Sequence, residues 1–259
     1  MYNQKNVQMK KQPLFISFST QKGGAGKTTM TVLVASYLHY VKGCNVAIVD
    51  CDYPQFSISD MRKRDVEQVM NDDHYKRMAH AQFTQLGRNA YPVAISSSVD
   101  AITKAEQLKN EDEFDVVFFD LPGTMNVAGV IKTLACMDYI FVPISADRVV
   151  MESTLQFAGT LNDNLITTGK SNIKGLHLIW NMVDGRERTE LYHAYDDAIA
   201  ELGLQVLHTV IPDSKRFRRE MNTTHKPIFR STLFPIDKTM LKGSNIEELV
   251  NEILAITKL

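Results

Sequence analysis

Long apolar runs are missing from this 259-residue chain, whose longest apolar stretches are cut by Asp120, Asp138 or His39. A transmembrane helix needs roughly 18 to 20 apolar residues in succession, so no membrane span is expected. Cysteine is scarce. Cys44, Cys51 and Cys136 form an odd set without Cys-x-x-Cys spacing, which argues against a disulfide framework and a standard zinc site and in favour of small, buried or half-buried thiols. Net charge is almost absent, with 29 Lys and Arg against 30 Asp and Glu. The surface as a whole therefore cannot attract nucleic acid, and any DNA contact must come from a local patch. No repeat, low-complexity tract or Pro/Gly/Ser linker divides the chain. At 44% hydrophobic and 23% charged residues, one ordinary globular domain is the expectation. Lys5, Lys10 and Lys11 precede the apolar run Leu14–Phe18. That run is shorter than the roughly 7 to 15 residues of a secretory signal and lacks a small-residue cleavage site. A cytoplasmic location is expected, with residues 1–12 forming a flexible N-terminal tail.

Short runs rich in Val, Ile and Phe alternate with helix-length amphipathic spacers, predicting strands at 14–19, 46–49, 92–95, 115–119, 139–143, 176–180 and 206–211. Continuous apolarity, as in Val116-Val117-Phe118-Phe119, suits strands buried on both faces. The fold class is therefore α/β, a single doubly wound and mainly parallel sheet flanked by helices, with right-handed crossovers. Residues 56–91 are polar and mixed in charge and read as helical with a turn, an insertion beside the sheet. Apolar residues at helical spacing from Ile246 to Thr257 predict a docked C-terminal helix, with Ser244 available as its N-cap.

After the first strand comes Gln21-Lys22-Gly23-Gly24-Ala25-Gly26-Lys27-Thr28-Thr29, then an apolar-periodic helix through Leu33, Leu38 and Val41. This is the strand, loop and helix context of a P-loop. Glycines let backbone N–H groups turn inward around phosphate oxygens, Lys27 supplies a point charge to the β and γ phosphates, and Thr28 can ligate Mg²⁺. A chance match at six specified positions has a probability of roughly one in 10⁵ at ordinary residue frequencies. The general Walker pattern wants Gly five places before Gly26, where this chain has Gln21, and it does not require Lys22.

That loop resembles the ParA/MinD family of deviant Walker-A ATPases, whose Lys-Gly-Gly-x-Gly-Lys-Thr-Thr is matched in full by residues 22–29. The resemblance, which extends over most of the chain, implies a ParA-like P-loop ATPase domain at 13–259 that cradles ATP with Gly23, Gly24, Ala25, Gly26, Lys27, Thr28 and Thr29. It also implies that Lys22 reaches across an ATP-dependent sandwich homodimer to the partner's phosphates; the alternative is an ordinary surface lysine. Val46-Ala47-Ile48-Val49-Asp50-Cys51-Asp52-Tyr53-Pro54-Gln55 is similar to the family's first switch, with Tyr53 inserted before the proline. By resemblance Asp52 orients or activates the attacking water and Asp50 supports the Mg²⁺ side, although acidic residues at strand ends also serve as plain turn formers. Val116–Asp120 followed by Leu121-Pro122-Gly123 is similar to the Walker-B strand and second switch, in which Asp120 holds Mg²⁺ through water. Asn181, at the end of Leu178-Ile179-Trp180-Asn181, and Pro212, in Val210-Ile211-Pro212, match the family's adenine-side residues; an Asn after a strand is otherwise a turn residue.

Between Asp213 and Arg230 lie Lys215, Arg216, Arg218, Arg219, Lys226 and Arg230 against Asp213 and Glu220. In the family, basic residues of this region bind double-stranded DNA non-specifically; such phosphate contacts are salt-dependent and sequence-blind. Arg186 and Arg188 are candidates to join the patch, while Asp213 stands where the family commonly has Arg or Asn. A solvated charged face is the other reading. Too few residues precede the P-loop for a helix-turn-helix module. The resemblance thus implies slow ATP hydrolysis without an evident arginine finger in cis, awaiting a ParB-like or other adaptor, and nucleoid association when ATP is bound. The role would be plasmid or chromosome partition or conjugal transfer of the TraA type. A MinD-like positioning ATPase acting on membranes fits poorly with Glu247, Glu248 and Glu252 against Lys258 in the last helix. A dethiobiotin-synthetase or cobyrinate-type ligase is the alternative from a different class.

Overall fold

A computed structural model describes residues 12–185 and 190–259. Its elements follow in chain order as β1 (Leu14–Phe18), α1 (Lys27–Tyr37), β2 (Val46–Asp50), α2 (Ser57–Asn71), α3 (Asp73–Leu86), β3 (Val93–Ile95), α4 (Ala101–Glu111), β4 (Val116–Asp120), α5 (Val130–Ala135), β5 (Tyr139–Ile144), α6 (Arg148–Leu161), β6 (Gly175–Trp180), α7 (Glu190–Glu201), β7 (Gln205–Val206), α8 (Lys238–Leu241) and α9 (Ile246–Thr257). The expected tail at residues 1–11 and the candidates Arg186 and Arg188 lie outside the described residues.

The strands form one sheet in the order β3-β2-β4-β1-β5-β6-β7, and every neighbouring pair is parallel. Side chains alternate between faces with the period of two that a strand imposes. Ile16, Phe18, Val46, Ile48, Val116, Phe118 and Phe141 enter the core beneath α1, α2 and α9. Ala47, Val49, Val117, Phe119, Ile140, Val142 and Ile144 enter the opposite core, beneath α4, α5, α6 and α7. Burial on both faces accounts for the unbroken apolar runs in the sequence.

The segment expected to be helical with a turn is α2 and α3, separated at Asp72, whose carboxylate accepts from the His74 amide at 2.9 Å. A third apolar cluster of Tyr75, Ala79, Ile228, Leu233 and Phe234 packs α3 against the chain before α8. Inside this wall Asp65 is 3% exposed. It accepts from the Thr232 amide at 2.7 Å, the Thr232 hydroxyl at 2.7 Å and the Ser231 hydroxyl at 3.0 Å.

Two expectations need correction. The strand expected at 206–211 ends at Val206. The Leu207 and Ile211 amides still bond to Leu178 and Trp180 of β6, but the Glu252 carboxylate of α9 takes the amides of His208 and Thr209 at 2.7 and 2.9 Å and draws that stretch out of the ladder. At the start of α9 the cap position falls to Asn245, whose φ of 59° is left-handed. Ser244 sits one residue earlier and its hydroxyl accepts from the Ile246 amide at 3.3 Å.

Candidate nucleotide-binding site

The loop leaving β1 turns on Gly24 and Gly26, at φ of 78° and 92°, backbone that side-chain-bearing residues rarely adopt. A Cβ on Gly26 would also lie 2.5 Å from the Asn181 amide nitrogen, while Gly23 and Gly24 face open space. α1 begins at Lys27 with no side-chain cap and no acidic residue in its first turn. Its first amides have no intrahelical acceptor, and the helix dipole is left uncompensated for an anion.

These residues floor a cavity of about 610 Å³. Gly23, Gly24, Gly26, Lys27, Thr28 and Thr29 form one wall; Asp52, Tyr53 and Gln55 with Pro122 and Gly123 form the next; Asn181, Pro212, Phe217, Arg218 and Arg230 complete it. Lys27 is 8% exposed. Gly123 approaches closely: a Cβ there would lie 3.0 Å from the Lys27 ammonium nitrogen, so a side chain in the turn after β4 would press on that charge.

The β2–β4 register places Asp50 beside Asp120, both fully buried. Asp120 Oδ2 accepts from the Thr28 hydroxyl at 2.8 Å, while its Oδ1 is buried without a hydrogen-bond partner. Burial pushes the Asp120 carboxyl up to about 7 against the opposing Thr28 hydrogen bond. Asp50 is differently used: its Oδ2 accepts from the Ser59 amide at 2.8 Å, anchoring the first turn of α2; both carboxylates sit behind the cavity wall, Asp120 reaching it through Thr28. Half-buried Asp52 lines the cavity, its carboxyl raised by burial and lowered by the charge of Lys27.

An unfinished carboxylate beside a threonine hydroxyl suits a hard cation that also binds phosphate oxygens. Magnesium commonly takes one or two protein oxygens and completes its shell with water and phosphates. Among the described residues no cluster of His, Cys, Asp and Glu forms a self-sufficient metal cage.

The structure brings the remaining candidates together unevenly. Lys22 is half-buried at the loop's start and does not line the cavity. Ala25 is buried, and its carbonyl accepts from the Asn181 side-chain amide at 2.8 Å; Asn181 therefore buttresses the loop as well as lining the cavity. Pro212 is held there by a parallel bridge to Val183. Of the basic candidates, Lys215, Arg218 and Arg219 are exposed. Arg216 is not free in the same way: its Nη1 donates to the carbonyls of Met240 and Lys242 at 2.9 and 2.7 Å.

Arg230, counted with that surface patch in the sequence, belongs instead to the cavity wall. With Arg218 it places two arginines at a site for which none was evident in cis. Arg230 and its partner Thr29 are separated by 201 residues, so no local pattern could have paired them.

Comparison with known proteins shows the family and the fold. Residues 16–228 match the family model described as the CobQ/CobB/MinD/ParA nucleotide binding domain. The chromosome-partitioning ATPase Soj of Thermus thermophilus is 25% identical over 248 residues, covering 93% of this chain and 95% of that protein. The sporulation initiation inhibitor protein Soj of Bacillus subtilis is 26% identical over 231 residues, covering 82% and 83%. Among solved structures, a plasmid partition protein of Borrelia burgdorferi bound to AMPPNP superposes with a TM-score of 0.61 at 16% identity, over 96% of this chain and 99% of that one.

Proposed function

This chain belongs to the CobQ/CobB/MinD/ParA nucleotide-binding family, and from that premise we propose that it is a ParA-like ATPase that works as a DNA-associated switch. Residues 13–259 would act as one ATPase unit, with α2 and α3 as an insertion beside it. The observation that carries the reading is the uncapped P-loop helix facing Asp120, whose buried Oδ1 has no partner.

In this reading the P-loop amides and Lys27 bind the phosphate chain of ATP, and Thr28 and Asp120 hold Mg²⁺. When bound, Mg²⁺ neutralises negative charge on the phosphates. Asp50 supports that side through the β2 end and the start of α2. Asp52, poised at the cavity edge, orients the attacking water. Phosphoryl transfer asks little covalent chemistry of the protein, because positioning and charge supply most of the effect. Asn181 and Pro212 lie where they can flank the base. Lys22 is assigned to the partner's phosphates in an ATP-dependent homodimer, since it does not serve its own cavity.

Lys215, Arg218 and Arg219 would meet duplex DNA without sequence preference, doubled in the dimer, while Arg216 shapes the turn that presents them. The name of the Thermus relative, a chromosome-partitioning ATPase, supports a role in partition of a replicon; in this reading the ATP form sits on the nucleoid, the released form in the cytoplasm, and a ParB-like adaptor is the activator. A membrane partner is disfavoured by α9, whose apolar residues Ile246, Leu249, Val250 and Ile253 are buried in the core. No helix among the described residues is long and apolar enough to cross a membrane.

The test is ATP turnover with and without plasmid DNA at low salt, paired with sizing in ATP and in ADP. DNA-stimulated turnover and an ATP-only dimer are expected. Lys22→Ala should keep nucleotide binding and lose the dimer, and, at saturating ATP because Arg218 also lines the cavity, Arg218→Ala with Arg219→Ala should weaken all DNA sequences alike and flatten the salt dependence. A DNA-indifferent monomer whose turnover rises with a small carboxylic acid would replace this reading with the ligase.

A further inference from the structure

Arg230 is the one side chain of the cavity wall that joins the P-loop helix to the basic segment by hydrogen bonds in the described structure. Its Nη1 donates to the Thr29 hydroxyl at 2.8 Å, and its Nη2 meets Glu220 Oε1 at 2.5 Å. Its Nε is buried with no partner. The backbone is pinned as well, since the amides of Phe229 and Arg230 both donate to the Arg219 carbonyl, at 3.1 and 2.9 Å. The guanidinium is thus held at the cavity with a buried N–H unspent.

Arginine presents its donors as a planar fork that fits phosphate oxygens. Arg230 lines a cavity already floored by P-loop amides, and its partnerless Nε leaves a costly unmet donor in the same guanidinium, one that a small shift of the group toward an anion would satisfy. Thr29, accepting from Arg230, keeps its own hydroxyl hydrogen for the same anion. Glu220 is the competitor: it occupies Nη2, and its other oxygen lies 3.5 Å from Arg64 of α2. Glu220 does not line the cavity, so its pull on Arg230 is directed away from the ligand.

We propose that Arg230 is a phosphate-binding residue of the nucleotide site, restrained by Glu220, so that nucleotide binding draws the guanidinium from carboxylate to phosphate. The proposal rests on the nucleotide-site reading above. It gives the basic segment a direct link to occupancy, because the same Arg219 whose side chain is a DNA candidate holds the Arg230 backbone.

The experiment is equilibrium titration with fluorescent ATP and ADP analogues in the presence of Mg²⁺, on the full chain and its variants. Glu220→Gln should tighten binding by about threefold to tenfold, and Arg230→Ala should weaken it by about tenfold, as expected for one charge-assisted bond to phosphate. Arg230→Lys should retain part of the affinity, and Glu220→Gln should have no effect once Arg230 is Ala. A purely structural clamp predicts the reverse for Glu220→Gln, unchanged or weaker binding, and that result overturns the proposal. If Arg230→Ala does not fold, Glu220→Gln and Arg230→Lys decide it. Wild-type binding that Lys27→Ala abolishes but Arg230 variants leave intact removes only this inference; wild-type chain that binds neither analogue removes the nucleotide-site reading with it.

Discussion

Asp65 and Asp120 are both buried, at 3% and 0% exposure, yet one sits in a finished environment and the other in an unfinished one. Asp65, in the wall between α2 and the chain before α8, has one oxygen that collects three donors from Ser231 and Thr232. Asp120, at the end of β4, has one donor from Thr28 and one oxygen with nothing. Burial raises both carboxyls, so desolvation does not distinguish them. What differs is whether the chain itself supplies the compensating groups. A completed set marks a structural joint, and a missing donor marks a place where something outside the chain is required. Replacement by alanine is the strongest way to break this contrast. Asp65→Ala strands the buried Thr232 amide and two hydroxyls, and a loss of about 3 to 5 kcal/mol is expected in denaturant melts. A loss below about 1 kcal/mol would mean that water replaces the carboxylate as acceptor, and the wall would not be finished in the sense argued.

Asp120→Asn tests the other side. The substitution keeps an acceptor for Thr28 and removes a buried charge whose desolvation outweighs the Thr28 hydrogen bond and the charge of Lys27. In magnesium-free buffer at pH 8 the variant should be as stable as the wild type or more so, by up to about 2 kcal/mol. Addition of Mg²⁺ with ATP should raise the melting temperature of the wild type and leave the variant nearly unmoved. Clear destabilisation of the magnesium-free variant would show that Asp120 is a structural carboxylate like Asp65.

The same contrast separates what was legible in the sequence from what was not. The P-loop could be read because all its parts lie within residues 21–29 and each residue type has a local mechanical reason. The inner strands β1, β2, β4, β5 and β6 could be read because burial on both faces leaves an unbroken apolar run, whereas the short edge strand β3 is only partly buried. Asp65 and Arg230 carried no such mark: the partners of Asp65 lie 166 and 167 residues away, and the partner that brings Arg230 to the P-loop helix, Thr29, lies 201 away. In the sequence both look like ordinary charged residues, and only the packing of α2 and of the chain before α8 gives them partners. Asp50 is the intermediate case, legible as an acidic strand end but not as the acceptor for the Ser59 amide. The strand expected at 206–211 was misread for a related reason, since Glu252 takes the Thr209 amide that would have continued the ladder to β6, together with that of His208.

That carboxylate offers the smallest and sharpest extension of the comparison, because it is finished like Asp65 but only half-buried. Burial works to raise the Glu252 carboxyl, yet hydrogen bonds from Thr209 and His208 outweigh it and hold it below the ordinary value of 4.5. A carboxyl whose folded pKa lies below its unfolded one contributes stability above the unfolded value and loses it as pH falls through the folded one. The contribution should be fully present near neutrality and disappear below about pH 4.5, toward the depressed folded value. Glu252→Gln should cost about 1 kcal/mol at pH 7 and show a shallower loss of stability on acidification than the wild type. If donors from the chain are what make a buried carboxylate structural, the two stability curves converge at low pH. If they stay parallel, Glu252 acts through packing alone, and the departure of 208–210 from the ladder has another cause.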